Sequence, residues 1–169
     1  MGYSDDLVIP KLAKLSPPPG RMQKLAKNNI WIDYAHTPDA LSNALQTLHL
    51  HYPESKLRVV FGCGGDRDKS KRQQMGNIAS ELAHSIILTN DNPRNEKPEN
   101  IIKDILVGVK IENNTQVIID RKIAINTAIT TLNEDEVLLI AGKGHETTQI
   151  IGSQALPFND IEIALDALI

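Results

Sequence analysis

Five short aliphatic runs divide this sequence, and stretches with helical spacing lie between them. The runs are Asn29 to Asp33, Leu57 to Phe61, Ser85 to Thr89, Gln116 to Ile119 and Glu136 to Ile140. Each is too short for an ordinary helix and reads as a strand. Strands separated by helical patterns imply a mostly parallel sheet covered on both faces, because a parallel crossover needs a connection of helical length. Aromatic residues are only 4% of the chain, so the core of such a fold must be aliphatic.

The helical stretches carry their own punctuation. Thr37-Pro38-Asp39 supplies an N-cap followed by a proline tolerated at the first helical position. Leu41, Ala44, Leu45 and Leu48 then form an apolar stripe. Met75, Ile78, Ala79 and Leu82 form a second stripe, and Ile101, Ile102, Ile105 and Val109, after Pro98, a third. Arg121 to Leu132 reads as a further helix, and Ile161, Ala164, Leu165 and Leu168 close the chain as another. Thr147 to Ile151 reads as a short extra strand. The fold class expected is α/β, a Rossmann-like, mostly parallel sheet with helices on both faces. Residues 1–28, with Pro17-Pro-Pro-Gly20, read as a linker and lead-in strand, and residues 29–169 as the domain.

In an open parallel sheet, ligands bind beyond the carboxyl ends of the strands. Four polar motifs fall at such ends: Asp33 to Pro38, Gly62 to Asp68, Asn90 to Arg94 and Gly142 to Glu146. Their shared edge is the main argument for a single site. The formal net charge of -3 argues against a nucleic-acid groove. The single cysteine, Cys63, excludes an intrachain disulfide and suits a reducing compartment. No apolar run approaches membrane-spanning length, and Met-Gly-Tyr-Ser-Asp-Asp carries no export signal, so a cytoplasmic location is expected.

Each motif suggests chemistry. The glycines of Gly62-Cys-Gly-Gly65 permit positive φ and close backbone approach to an anion, and Arg67 offers a bidentate fork to a carboxylate or phosphate. A solvated Asp66-Arg67-Asp68 turn with local ion pairs is the plainer alternative. Asp91-Asn92-Pro93-Arg94 presents a carboxylate, an amide and a guanidinium on a loop stiffened by proline. That set suits a zwitterionic amino acid, Arg94 taking the carboxylate and Asp91 and Asn92 the ammonium. Gly142 frees the backbone, Glu146 can accept from an ammonium, and Lys143 and His145 suit phosphate or structural roles. Asp33 and His36 can serve ribose hydroxyls, a metal-bound water or a phosphate, although a buried histidine satisfied by backbone is the simpler expectation for His36. No His/Cys spacing marks a metal site.

Taken in order, Pro19-Gly-Arg-Met22, Asp33-Tyr-Ala-His-Thr-Pro38, Phe61-Gly-Cys-Gly-Gly-Asp-Arg-Asp-Lys69, Asp91-Asn-Pro-Arg94 and Gly142-Lys-Gly-His-Glu146 resemble the Mur ligase family, in its tripeptide-forming branch. The resemblance implies a three-domain, ATP-dependent cell-wall ligase of which this chain matches the C-terminal domain alone. It also implies a substrate: meso-diaminopimelate joined to a UDP-muramoyl dipeptide. Arg67, Asp91, Asn92, Pro93, Arg94, Gly142 and Glu146 match diaminopimelate-binding positions, and Arg21, Asp33 and His36 match positions that face the nucleotide. ATP and Mg2+ would be bound mainly by the missing central domain, so no turnover is expected of this domain alone. Lysine-using relatives resemble the motif but lack its arginine. Ser70, where many relatives have glycine, is a small departure. A folylpolyglutamate synthetase-like ligase and a stand-alone Rossmann-like binding module are the competing readings.

Overall fold

The computed structural model describes residues 18–25, 29–110 and 114–169. The expected sheet is present. Its strands are β1 (Gln23–Lys24), β2 (Ile30–Asp33), β3 (Lys56–Phe61), β4 (Ser85–Leu88), β5 (Asn114–Val117) and β6 (Glu136–Ala141). Their order is β1-β2-β6-β3-β4-β5. All pairs are parallel except β1 with β2. The helices are α1 (Pro38–His51), α2 (Ser70–Leu82), α3 (Pro98–Leu106), α4 (Arg121–Thr130) and α5 (Asp160–Asp166). A separate antiparallel hairpin, β7 (Thr148–Ile151) and β8 (Gln154–Pro157), follows β6.

The central strands are buried on both sides, which explains their unbroken apolar runs. Leu57, Val59 and Phe61 of β3 point to a core shared with Leu41 and Leu45 of α1, Met75 of α2 and Ile101 of α3. Val60 between them joins a second core with Ala124 and Ile125 of α4 and Ile163 of α5. β6 does the same, Val137 and Leu139 facing one layer and Leu138 and Ile140 the other. Thr37 caps α1 as expected, its hydroxyl accepting from Ala40 N.

Several boundaries differ from expectation; α4, for one, ends at Thr130 rather than at Leu132. β5 runs from Asn114 to Val117 rather than from Gln116 to Ile119. As an edge strand it is largely exposed, so three of its four residues are polar, while Ile118 and Ile119 lie just past its end. Helix α3 stops at Leu106, leaving Val109 to pack from the following turn. The lead-in strand is only Gln23–Lys24. Of the linker and lead-in strand expected over 1–28, residues 1–17 and 26–28 lie outside the described residues. No helix among the described residues is long and apolar enough to cross a membrane.

Candidate functional site

Strands β2, β6, β3 and β4 are consecutive neighbours and parallel, so their carboxyl ends lie side by side. The four motif loops meet there around a cavity of about 300 Å³. His36, Arg67, Asp91, Asn92, Arg94, Gly142 and Glu146 line it. Gly64 of the glycine loop and the N-cap Thr37 also line it, as do Tyr34 and Lys71, to which sequence reading assigned no role in the site. Arg21, Asp33 and Pro93 do not line it.

The glycine loop works differently from expectation. Gly62, Gly64 and Gly65 all avoid the left-handed region, and the loop's positive φ (53°) falls on Asp66. The glycines instead let this loop press against the next one: a Cβ on Gly65 would overlap Pro93 O. Gly65 N donates to Asn92 O at 2.9 Å, and Arg94 Nη1 donates to Gly65 O at 3.0 Å. Asp66 Oδ2 accepts from Asn95 N and Nδ2. Arg72, fully buried, braces the same loop by donating to Gly64 O, Glu96 and Asp104. That engagement, with Asp66 N donating to Glu96, draws the Glu96 carboxyl down to about 2. Arg67 is exposed and spends one bond on Asp66 O, which leaves its fork to face the cavity.

The other wall is acidic and internally tied. Lys143 is fully buried, and its Nζ donates to Glu146 Oε2 at 2.8 Å and Asn92 Oδ1 at 3.0 Å, with Asp91 Oδ1 at 3.7 Å. Asn92 Oδ1 also accepts from Ile150 N, and its Nδ2 donates to Glu146. The amide expected to meet a ligand ammonium is therefore held by Lys143 and the hairpin, and it aims Glu146. Burial pushes the Asp91 carboxyl up, against the lowering charges of Arg121 and Lys143. Burial also acts upward on Glu146, but the hydrogen bond and charge of Lys143 overcome it and hold that carboxyl low.

Arg121 is a further organiser that sequence reading missed. Fully buried at the start of α4, it pairs with Asp160 at 2.7 Å and donates to Ala141 O and Asn90 O. It thereby ties together the ends of β6 and β4. One signal was available: a basic residue in the first turn opposes the helix dipole, so its presence there calls for another reason.

The nucleotide-facing candidates form an adjoining group around Tyr34. Its ring lies 4.5 Å from that of His36, 5.1 Å from that of His145 and 5.5 Å from the Arg21 guanidinium. Burial, then the charges of Glu146 and Asp91, push the Tyr34 hydroxyl up. His36 is exposed rather than buried, because α1 starts immediately after it and turns its ring outward. Its Nδ1 is satisfied by Tyr34 O at 2.8 Å, the backbone contact expected. Asp33 Oδ2 accepts from Met22 N at 2.7 Å, fastening the segment that carries Arg21 to the tip of β2. Cys63 is buried against Met75 and its thiol is pushed up to about 12, so it is no nucleophile. Among the described residues no cluster of three His, Cys, Asp or Glu groups is placed to hold a metal.

A doubly covered, mostly parallel sheet defines a Rossmann-like domain, and the charged cavity at its carboxyl edge is its candidate ligand site. Residues 20–144 match the family described as "Mur ligase, glutamate ligase domain". The chain belongs to the Mur ligase family. It is 51% identical over 166 residues to the UDP-N-acetylmuramoyl-L-alanyl-D-glutamate–2,6-diaminopimelate ligase of Coxiella burnetii, across 96% of this chain and 34% of that one. It is 50% identical over 165 residues to the ligase of the same name from Rickettsia prowazekii (strain Madrid E), with the same coverage. A solved structure of a ligase of that name superposes with a TM-score of 0.84 at 38% identity, covering 98% of this chain and 34% of that one. The chain thus spans about a third of the length of the curated relatives it matches. A folylpolyglutamate synthase from Thermotoga maritima superposes with a TM-score of 0.60 at 21% identity, covering 84% of this chain and 31% of that one, a likeness of fold alone.

Proposed function

We propose that this chain is the amino-acid-binding domain of an ATP-dependent ligase that joins meso-diaminopimelate to UDP-N-acetylmuramoyl-L-alanyl-D-glutamate. The observation that carries the reading is the polarity of the cavity. Arg67, Lys71 and Arg94 line it together with Asp91 and Glu146, Arg94 held against Gly65 O and Glu146 against Lys143. A zwitterion with a second carboxylate fits such a lining. The names of the relatives agree with that substrate.

In this reading Arg94 and Arg67 hold carboxylates and Glu146 receives an ammonium. Arg94 is half-buried and already donates to Gly65 O and Asn92 O, so its guanidinium is oriented before ligand arrives. Preorganisation of this kind lowers the entropic cost of binding. Lysine lacks the distal carboxylate and would place its ammonium before a cation, which disfavours it. The attacking amine, once deprotonated, would meet an acyl phosphate delivered by the rest of the ligase. ATP and Mg2+ would be bound mainly there, and no metal ligand is assigned to this chain. Arg21 and His36 would approach the nucleotide, and Asp33 would serve that face through its grip on Met22 N. ATP and a UDP-linked substrate place the reaction in the bacterial cytoplasm, and this domain without its neighbours would have no turnover.

The test is ADP release by the ligase carrying this domain, with diaminopimelate and with lysine. Diaminopimelate should support turnover and lysine should not. Equal use of the two would sink the assignment.

A further inference from the structure

The β7–β8 hairpin stands outside the body of the fold. Neither apolar core contains a residue from 147–157. β8 is exposed along its whole length, and Ile151 and Leu156 are 44% and 42% exposed. Core packing therefore does not explain why the chain builds it. Its inner edge has a definite use instead.

Four hydrogen bonds join β7 and its turn to the loop bearing the amino-acid ligands. Gln149 Nε2 donates to Asp91 O at 2.8 Å, and Ile150 N donates to Asn92 Oδ1 at 2.9 Å. Arg94 N donates to Ile150 O at 3.1 Å, and Gly152 N donates to Arg94 O at 2.8 Å. Both backbone groups of Arg94 are thus held by the hairpin. This matters because Arg94 sits at φ 51°, a left-handed conformation that a side-chain-bearing residue adopts at a cost. The surrounding contacts must over-determine such a residue for it to persist. The turn that returns the hairpin is Gly152-Ser153, with Gly152 at φ 58°. Gln149, the one buried residue of β7, makes its bond to Asp91 O.

We propose that the β7–β8 hairpin is a brace for substrate selection, with Gln149 as its positioning residue. It fixes the backbone from which Asp91, Asn92 and Arg94 face the cavity. Gln149 acts through that backbone and need not touch the ligand. The proposal rests on the reading that Arg94 receives a carboxylate of the amino acid, and its test separates the two.

Gln149→Met keeps the side-chain length and removes the donor. In the ligase carrying this domain, KM for diaminopimelate should rise about tenfold, while kcat and KM for ATP stay within about twofold. Amide exchange at Arg94 and Gly152 should quicken about tenfold, with Val60 and Ile140 of the sheet unchanged. Gly152→Ala loosens the seam from its other end, at a position open to solvent, and keeps the test alive if Gln149→Met does not fold. It should give the same split in smaller measure. Unchanged KM and exchange would overturn the brace, as would a rise in both KM values together with a fall in kcat. Arg94→Ala serves as the control. If it lowers diaminopimelate use while Gln149→Met does nothing, the brace fails and the carboxylate reading stands. If Arg94→Ala leaves diaminopimelate kinetics intact, the carboxylate reading itself fails.

Discussion

Replacing Lys143 by methionine removes the ammonium that donates to Asn92 and Glu146 and lies 3.7 Å from Asp91, while Arg121 still faces Asp91. Lys143 is wholly buried and the Asp91 side chain is 8% exposed, whereas Glu146 keeps 31% of its side chain in solvent. Breaking a buried ion pair by removing one partner costs about 3–5 kcal/mol, because a buried charge is left unmatched. The partial exposure of Glu146 puts this case at the lower end, about 3 kcal/mol. For a chain of this size that lowers the unfolding midpoint by about 6–12 °C. The pH dependence identifies the cause. Glu146 is held low in the fold, so its stabilising contribution exists above the ordinary carboxylate range and disappears as pH falls through its folded value. Asp91 is pushed up, so its contribution has the opposite sign and declines as pH rises past its ordinary value. Without Lys143 both carboxyls move upward. The deficit should then be largest near neutral pH and should shrink as pH falls toward about 5, where protonation relieves the unmatched charge. Thermal unfolding followed by circular dichroism at about pH 7.5 and about pH 5 measures both quantities. A deficit below about 1 kcal/mol at neutral pH, or one equal at both pH values, would refute the charge-matching argument.

Arg94→Ala in the intact ligase should lower kcat/KM for diaminopimelate by about 10- to 150-fold, the worth of a charge-assisted hydrogen bond at a half-buried site, and steady-state kinetics would show it. Arg121→Met should destabilise the domain by about 3–5 kcal/mol, read from urea unfolding, because it strands Asp160 without a partner. Glu96 is drawn from 4.5 to about 2, so its contribution exists above pH 4.5 and is lost as pH falls toward 2. Glu96→Gln should therefore be less stable than the parent at neutral pH, with the gap closing across that acid window in a urea titration. Cys63 should resist iodoacetamide in the native protein at mildly alkaline pH and react once guanidinium unfolds it, as mass spectrometry of the adduct would report.

The central strands were legible because they are buried on both faces, which writes them as aliphatic runs. β5 was misplaced by two residues because an edge strand needs no such run, and the apolar Ile118 and Ile119 just beyond it drew the boundary outward. β8 went unread although Gly152-Ser153 between Ile151 and Gln154 is a hairpin signal. The cavity residues were largely visible, since loops at strand ends must converge. Their partners were not: spacing cannot show that Lys143 lies inside the fold, that Arg121 reaches Ala141 O, or that the glycines of residues 62–65 make room for the loop at Pro93. Those are contacts between segments far apart in sequence, fixed only when the sheet order is known. For the same reason His36 appeared as a candidate for burial, whereas the helix start beside it sets its ring in solvent.

The central claim is that the cavity at the carboxyl edge of the sheet selects an amino acid with an extra distal carboxylate. Amide and side-chain NMR titration of this domain with meso-diaminopimelate, set against L-lysine at the same millimolar concentrations, tests it most directly. Saturable shifts at Arg67, Asp91 to Arg94, Gly142 and Glu146 with diaminopimelate, and little change with lysine, are the predicted result. Equal shifts with lysine, or shifts with diaminopimelate that leave Arg94 unmoved, would contradict it.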